Sequence, residues 1–210
     1  MCPFKLTLTL FSLLVISFEA SAVDIIPGRA IATPPGLNSI MVTTIHSHLD
    51  DQYVDGKAQN LNSGIDIYNL QLRYSRTFLL NGRPSGIYIQ PSLSTIRPSG
   101  SLNSHSAPTG VGDTALALAY WPYADRQAEK YFVLAGYLVL PTGEYDSDQL
   151  FNLSQNRYSA AAQMGFHQRL SGKWAGMITG DFHWFGENDE YRFTDPKTKT
   201  KASSALFGPN

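Results

Sequence analysis

The chain has 210 residues, and its 16 Lys and Arg nearly balance its 17 Asp and Glu, so the formal net charge is −1. That balance gives no sign of a nucleic-acid partner or of a general attraction to anionic membranes. The function must therefore be sought in the pattern of the sequence, taken in chain order.

Residues 1–22 have the features of a secretory signal peptide. Lys5 provides a positive charge, residues 6–18 are mainly apolar, and Ala20-Ser21-Ala22 forms a small-residue cleavage pattern. The apolar segment is too short to span a bilayer, and no later stretch offers about 20 apolar residues in a row. We expect cleavage after Ala22 and export of residues 23–210, which contain no cysteine and hence no disulfide.

From residue 37 onward, short runs rich in Ile, Val, Thr, Tyr and Phe are separated by clusters of Gly, Pro, Asn and Asp. This arrangement predicts an all-β fold. The predicted strands are 37–46, 65–78, 86–97, 110–121, 131–140, 156–169 and 173–184, with an eighth run near 200–207. Their lengths suit the tilted strands of about 9 to 11 residues that cross a bilayer.

Apolar and polar side chains alternate in several of these strands. In the run 157–170, Tyr158, Ala160, Ala162, Met164, Phe166 and Leu170 share one face, and Arg157, Ser159, Gln163, His167 and Arg169 share the other. A soluble β-sandwich would bury the apolar face in a core. A transmembrane barrel would instead turn it toward lipid and direct the polar face inward.

The lengths of the connectors favour the barrel. The gaps between predicted strands are 47–64, 79–85, 98–109, 122–130, 141–155, 171–172 and 185–199, so long and short connectors alternate. Outer-membrane barrels have this pattern, with short periplasmic turns and longer external loops. The sequence therefore predicts an antiparallel up-and-down transmembrane β-barrel in a Gram-negative outer membrane, with outer-membrane lipid as its surroundings.

Aromatic residues near the predicted strand ends are candidates for the two interfacial girdles of such a barrel. The periplasmic set is Tyr74, Phe78, Tyr120, Trp121, Tyr123, Tyr131, Phe132 and Trp174, and the external set is Tyr145, Tyr158, Phe182, Trp184 and Phe185. The simpler alternative is that Tyr and Trp are common in strands of any kind.

Three segments resemble one known family. They are "PPGLNSIMVTTIHSHLDDQYVDGK" at 34–57, "GVGDTALALAYWPY" at 110–123 and "LPTGEYDSDQLFNLSQNRYS" at 140–159. Their combination of Gly-x-Gly-Asp, Pro-Thr-Gly-x-Tyr-Asp and Asn-Arg-aromatic is similar to outer-membrane proteins of the meta pathway of phenol degradation, often described as transporters. This chain departs from the family pattern at Ser154, near a usual glycine, and at Tyr158, where Trp is common.

The resemblance implies association with the outer membrane and passage of small aromatic or other hydrophobic compounds, and it supplies no catalytic residues. Members usually continue through further strands to an aromatic last residue, whereas this sequence ends "KASSALFGPN". We therefore expect a barrel that is incomplete at its C-terminus.

Polar residues on the inward face are the candidate determinants of pore selectivity. They are Arg73, Asp113, Arg157, Gln163, His167, Arg169, Asp181 and His183. Their alternative role is mutual pairing within a solvated lumen. The small inward residues Ala115, Ala117 and Ala119 favour open space over a packed plug.

Glu144, Asp146 and Asp148 are spaced two residues apart, so on an extended strand they would project to one side and could share a Ca²⁺ ion. Their spacing matches no established calcium loop. The favoured interpretation is that Pro141-Thr142-Gly143 makes a turn and that the three acids keep an external loop hydrated. No metal site is predicted here.

His46, His48 and Asp50 would share one face of an extended segment, a spacing compatible with a metal ion. Ser47 lies beside them, as a barrel lipid hydrolase would need for a base and a nucleophile. Neither site is predicted, because the sequence indicates no third residue to orient them.

Residues 23–210 contain no Gly-x-Ser-x-Gly elbow, glycine-rich phosphate loop or Cys/His zinc spacing, so an enzyme is the minority interpretation. The first hypothesis is a passive conduit for small hydrophobic or aromatic solutes linked to aromatic catabolism, without a cofactor. The alternative is a channel-free structural or surface-binding barrel, because eight strands leave an interior that side chains can fill.

Overall fold

The computed structural model describes residues 30–50, 52–54, 57–59 and 62–190. The predicted signal peptide, the eighth predicted strand and the end of the chain lie outside these residues. The strands are β1 Asn38–Leu49, β2 Gln52–Val54, β3 Lys57–Gln59, β4 Ser63–Leu80, β5 Arg83–Gln90, β6 Ser92–Gly100, β7 Thr109–Val111, β8 Thr114–Asp125, β9 Lys130–Leu140, β10 Ser159–Ser171 and β11 Trp174–Phe185. Within the described part of the chain, no helix is long and apolar enough to cross a membrane.

One antiparallel sheet contains nine of these strands. Its hydrogen-bonded order is β11-β10-β9-β8-β5-β4-β6-β7, and β1 pairs along the other side of β4. The remaining two, β2 and β3, form a separate hairpin between β1 and β4. Over the described residues β1 and β11 do not pair with each other, so the sheet is open there.

Two short interruptions separate strands that otherwise continue one another: Pro91 lies between β5 and β6, and Gly112–Asp113 lie between β7 and β8. Strand β4 pairs with β5 and β6 in one continuous register across Pro91, whose carbonyl accepts a hydrogen bond from Leu72 N. Opposite Pro91, residues Gly112 and Asp113 separate β7 from β8, and the offset between paired residues changes by one. Proline lacks the N–H that a central strand needs, so a bulge beside it is the place where it is tolerated.

With these interruptions joined, seven long runs follow one another as an antiparallel up-and-down meander. The runs are 38–49, 63–80, 83–100, 109–125, 130–140, 159–171 and 174–185. They confirm the seven predicted strands, whose ends were misplaced by a few residues. The all-β antiparallel fold class is therefore confirmed.

The alternation of long and short connectors is also confirmed. The short connectors are Asn81–Gly82, Arg126–Glu129 and Gly172–Lys173. Asn81 and Gly82 have φ values of 50° and 73°, the positive pair that a two-residue hairpin of the I′ type requires. The long connectors 101–108 and 141–158 lie at the other end of the sheet, where Leu49 and Ser63 flank the third long connector.

Exposure of the side chains is inverted relative to a soluble sheet. On the outer face, which carries Met164 of β10, the side chains Ile40, Met164 and Phe182 are 73%, 56% and 71% exposed. On the inner face, which carries Gln163 and His167, those two polar side chains are 5% and 7% exposed. A soluble sandwich would bury the first set, so the predicted face assignment is confirmed and fits a barrel wall.

The girdle prediction was wrong for two aromatic residues. Trp121 and Tyr131 are 7% and 4% exposed and belong to a cluster with Ala30, Ala32 and Val133. Their rings therefore pack on the inner face. Alternation places both of them inward, because Trp121 is in phase with Ala119 and Tyr131 with Val133, so it was their position near the strand ends that misled.

Candidate functional site: the inner face of the sheet

The middle of the inner face is a row of paired residues from neighbouring strands. Ala117 of β8 pairs with Tyr88 of β5 on one side and with Tyr137 of β9 on the other. Because Ala117 has only a methyl group, the two tyrosine rings meet above it in an edge-on arrangement, with their centroids 6.3 Å apart. Such an edge-to-face pair is a favourable aromatic geometry.

A cationic and amide cluster adjoins Tyr88. The Arg73 guanidinium lies over the Tyr88 ring, with Cζ 4.2 Å from the centroid, which is a cation–π distance. Arg73 Nε donates to Gln90 Oε1 at 2.6 Å, and Gln90 Nε2 donates to Gln71 Oε1 at 3.0 Å. Long polar side chains of β4 and β5 are thus held against the sheet by one another.

A second polar cluster adjoins Tyr137. The Tyr137 hydroxyl donates to Gln163 Oε1 at 2.9 Å, and Asp181 is the residue directly opposite Gln163. Asp181 Oδ2 lies 2.7 Å from His183 Nε2, and both side chains are largely shielded from solvent. The inner face therefore carries a cation on β4 and a carboxylate on β11, with tyrosines and alanines between them.

The segment before β1 packs on the inner face at the short-turn end of the sheet. Ala30 is completely buried, and its carbonyl accepts a hydrogen bond from Trp121 Nε1 at 2.8 Å. A Cβ on Gly165 would meet Val133 and Ala30 at 3.0 and 3.5 Å, so Ala30 lies against β9 and β10. Since β1 pairs with β4, residues 30–37 cross the inner face to reach it.

The connector 141–158 packs on the inner face at the opposite end. The Asp113 carboxylate accepts backbone N–H groups from Gly143 at 3.1 Å and from Gln155 at 3.0 Å. Glu144 N donates to Val111 O at 2.9 Å. The bulge between β7 and β8 therefore anchors both the beginning and the end of this connector.

Phe151 fixes the middle of the same connector. It is 3% exposed and forms an apolar cluster with Ile67 and Ile96 of the inner face. The His105 ring contacts Phe151 edge-on, with centroids 6.1 Å apart. The connector thus covers part of the inner face rather than extending away from the sheet.

The predicted lumen residues fall into three groups. Arg73, Gln163, His167, Asp181 and His183 lie on the inner face, Asp113 and Arg157 lie at the anchored connector, and Arg169 lies beside the turn Gly172–Lys173. Arg169 Nε donates to Glu129 Oε2 at 2.8 Å, and Nη1 donates to the Gly172 carbonyl at 2.9 Å. A lumen-lining role for all eight stays a prediction.

Arg157 and His167 each lie close to an aromatic ring. Arg157 donates to Gln155 Oε1 and lies over the Phe185 ring at 4.7 Å, and partial burial lowers the pKa of its guanidinium. His167 lies 6.0 Å from the Tyr131 ring, and its Nδ1 atom is buried with no hydrogen-bond partner in the described part of the chain. Both side chains are thus surrounded by protein on more than one side.

The three loop acids do not converge on one point. Asp146 Oδ1 accepts a hydrogen bond from Asp148 N at 2.9 Å and closes a turn, so the chain is not extended there. The Glu144 carboxylate lies instead over the backbone of Gly110. All three acids are exposed in the connector 141–158, which agrees with a hydrated loop.

His46 and His48 share a carboxylate that sequence reasoning did not assign to them. His46 Nε2 and His48 Nδ1 lie 3.0 and 2.9 Å from Asp66 Oδ1, whereas His48 Nε2 is 4.0 Å from Asp50. Ser47 pairs with Ile67 and points to the inner face, away from both histidines, so a His–Ser catalytic pair is not formed. In the described ranges no group of three or more His, Cys, Asp or Glu side chains could hold a metal ion.

A comparison with family models decides the family. The model of the family described as "Putative MetA-pathway of phenol degradation" matches residues 50–206. The chain belongs to this family. The predicted resemblance is confirmed.

A solved structure supports this phenol-degradation family assignment. The crystal structure of an outer membrane channel from Pseudomonas putida F1 is similar to this chain, with a TM-score of 0.73 and 27% sequence identity. The match covers 80% of this chain and 63% of that chain, so this chain spans less than two thirds of the length of its structural relative. No curated protein matches this chain.

The motifs that predicted the phenol-degradation family meet in space. Gly-x-Gly-Asp at 110–113 forms the bulge, and Pro-Thr-Gly-x-Tyr-Asp at 141–146 crosses it so closely that a Cβ on Gly143 would lie 2.7 Å from Gly112 C. Ser154, which departs from the family pattern, accepts a hydrogen bond from Asn156 N at 2.9 Å. Next to the first motif, the Thr142 hydroxyl donates to the Thr114 hydroxyl, 28 residues away in sequence. The two motifs therefore form one structural unit.

Sequence reasoning missed Ala30, Asp66 and Phe151 as parts of these arrangements. Phe151 and Ala30 lie in segments without periodicity, so no pattern indicated which face they contact. Asp66 could have been found only from the register that places it opposite His48. Asp66 lies on the outer face between His48 and Arg97, and no periodic pattern in the sequence shows which strands lie beside it.

Proposed function

We propose that this chain belongs to an outer-membrane β-barrel that acts as a passive conduit for small hydrophobic or aromatic solutes. One observation carries the proposal: apolar side chains cover the exposed outer face, while polar and small side chains occupy the middle of the inner face. A wall of this polarity suits lipid outside and a solute path inside. The family and the similarity to an outer membrane channel support the same assignment.

The middle row of the inner face is where solutes would be selected. Both ends of the inner face are covered by chain, by residues 30–37 and by the connector 141–158. Between them, Tyr88 and Tyr137 present ring surfaces beside the Ala117 floor. Flat aromatic solutes would stack on such rings, and Arg73 and Asp181 would favour solutes that orient a dipole across the path.

The channel-free barrel is retained as a second candidate because of the same two segments. Ala30 and Phe151 are buried on the inner face, so part of that face is already covered by protein. If the remaining space admits no solute, the barrel would serve as a structural or surface-binding protein. Conduction separates the two candidates.

The test is a pair of substitutions at adjacent residues on opposite faces. Ala117→Phe adds a ring to the floor between Tyr88 and Tyr137, whereas Leu118→Phe places the same ring on the outer face, where Leu118 is 48% exposed. The complete native protein that carries this sequence would be reconstituted in planar bilayers and in liposomes loaded with phenol-sized solutes. We expect wild type and Leu118→Phe to conduct equally and Ala117→Phe to conduct far less.

Folding of each protein is checked separately from conduction. Heat-modifiable migration in detergent would establish that all three proteins are folded. A folded wild type that passes neither ions nor solutes would reject the conduit and leave the channel-free barrel. Equal conduction by Ala117→Phe and wild type would show that the path does not cross the middle row.

A further inference from the structure

The outer face carries a polar cluster at the end of the sheet where the long connectors lie. By register, His46 is opposite Tyr68, His48 is opposite Asp66, and Asp66 is opposite Arg97 of β6. Asp66 holds both imidazole rings through a single carboxylate oxygen. Polar groups are costly on a face that contacts lipid, so their presence here requires a reason.

The cluster begins where the apolar band of the outer face ends. Along β1 and β4 the paired outer residues are Ile40 with Tyr74, Val42 with Leu72, Thr44 with Leu70, His46 with Tyr68 and His48 with Asp66. Tyr68 is 42% exposed and stacks on His46, with ring centroids 4.5 Å apart and planes 7° from parallel. A tyrosine at the boundary of the apolar band marks the level of lipid head groups.

Arg97 supplies the permanent positive charge of the cluster. Its Cζ lies 5.3 Å from the Tyr68 ring centroid, while the Asp66 carboxylate opposite it in register is directed to the two histidines. Arg97 is exposed on the outer face. A guanidinium held in this way presents a planar donor set that matches phosphate oxygens.

A groove adjoins the cluster on the side of the apolar band. Its volume is about 490 Å³, and its lining includes Thr44, His46, Tyr68, Leu70, Leu93 and Thr95. Leu70 and Leu93 are 39% and 51% exposed, so the groove has an apolar floor that faces the lipid. A cationic rim joined to an apolar groove fits an amphiphile with an anionic head group and an acyl chain.

We propose that this outer-face cluster binds a phosphate-bearing glycolipid of the external leaflet, namely the lipid A part of lipopolysaccharide. Arg97 binds a phosphate of the head group, the His46–Tyr68 stack forms the wall beside it, and an acyl chain lies in the groove. The choice of lipid A rests on the proposed outer-membrane placement, with the long connectors outside. The near-neutral net charge of the chain does not oppose the proposal, because head-group binding is decided by local charge within a Debye length of about 8 Å.

The test measures binding of lipid A to the purified full chain in detergent micelles by native mass spectrometry. Bisphosphorylated lipid A, dephosphorylated lipid A and phosphatidylglycerol are titrated separately. We expect wild type to bind the bisphosphorylated form about tenfold more tightly than either of the others, a difference of about 1.4 kcal/mol. Equal affinity for the two lipid A forms would overturn the proposal, and equal affinity for phosphatidylglycerol would overturn the choice of a glycolipid.

A matched pair of variants locates the site. Arg97→Gln removes the cation of the cluster, and Arg76→Gln removes an exposed arginine from the opposite end of the same outer face. We expect Arg97→Gln to lose the tenfold preference for phosphate and Arg76→Gln to keep it. Equal effects of the two changes would show that phosphate binding is a property of exposed arginines in general, which contradicts a built site.

Conduction is recorded for the same proteins so that the two proposals fail separately. Arg97 faces outward, so Arg97→Gln should conduct as wild type does. A silent wild type that still prefers bisphosphorylated lipid A would reject the conduit and leave the lipid site intact. A conducting wild type without that preference would reject only the lipid site.

Discussion

The close crossing of the two family motifs gives the sharpest stability prediction. In Gly143→Ala the new Cβ would lie 2.7 and 2.9 Å from Gly112 C and Cα and 2.9 Å from Val111 O, distances that real Cβ atoms do not adopt. All three contacts are backbone atoms, and Glu144 N is hydrogen-bonded to Val111 O, so the connector must move away from the bulge. Overpacking of this kind costs about 1 to 3 kcal/mol.

The matched control is Gly110→Ala in the other motif. There the three atoms nearest to the new Cβ all belong to the carboxylate of Glu144, the far end of an exposed side chain that can rotate away. Surface changes of this kind are usually within about 0.5 kcal/mol. Hydrogen exchange of residues 141–158 should rise strongly in Gly143→Ala and hardly in Gly110→Ala. Equal exchange in the two variants would refute the anchoring of the connector by the bulge.

Two further predictions concern the inner segment and the outer face. Trp121→Phe removes the buried donor to Ala30 O, which should cost about 1 to 3 kcal/mol and make the chain before β1 more sensitive to protease, with unchanged sensitivity counting against the contact. Ala162→Arg on the exposed outer face should cost about 2 to 4 kcal/mol in folding into lipid vesicles if the site is near the bilayer midplane, and Ala161→Arg on the inner face should cost less. A larger loss in Ala161→Arg would mean that the two faces are assigned the wrong way round.

The strands could be predicted because alternation acts at every second residue. In β10 the exposed Ala162 and Met164 alternate with the buried Gln163 and Gly165, and a shift by one residue would have reversed every contact. The strand ends were less certain, since β4 continues to Leu80 beyond the predicted end at 78. A turn residue such as Asn81 shows only that a strand stops nearby.

What lies on the inner face could be predicted only in part. Alternation placed Arg73 and Gln163 there. The contacts between side chains of neighbouring strands depend on the pairing register, which no pattern in the sequence indicated. The hydrogen bond from Trp121 to Ala30 joins residues 91 positions apart, and Ala30 lies in an irregular segment before β1. Non-local contacts made by irregular segments leave no periodic signal.

The acidic residues of the connector 141–158 show that a regular spacing can also mislead. Glu144, Asp146 and Asp148 have a regular spacing, and regular spacing suggests a shared face only where the backbone is extended. The turn at Asp146 ends the extended conformation, so the spacing loses its geometric meaning. Asp113 has no such regular acidic neighbours, yet it is the carboxylate that organises the connector.

Apolar side chains at both ends of the inner face are covered by irregular segments of the chain. At one end Trp121 and Tyr131 need an apolar partner, and the chain around Ala30 supplies it. At the other end Ile67 and Ile96 face inward, and Phe151 covers them. Among the described residues, the middle row, with Ala117 between Tyr88 and Tyr137, combines a small floor with polar neighbours, and tyrosines and amides contact one another there. If solutes cross this wall on its inner side, the width above Ala117 sets the limit on their size, and that is why a single added ring at that position should block conduction.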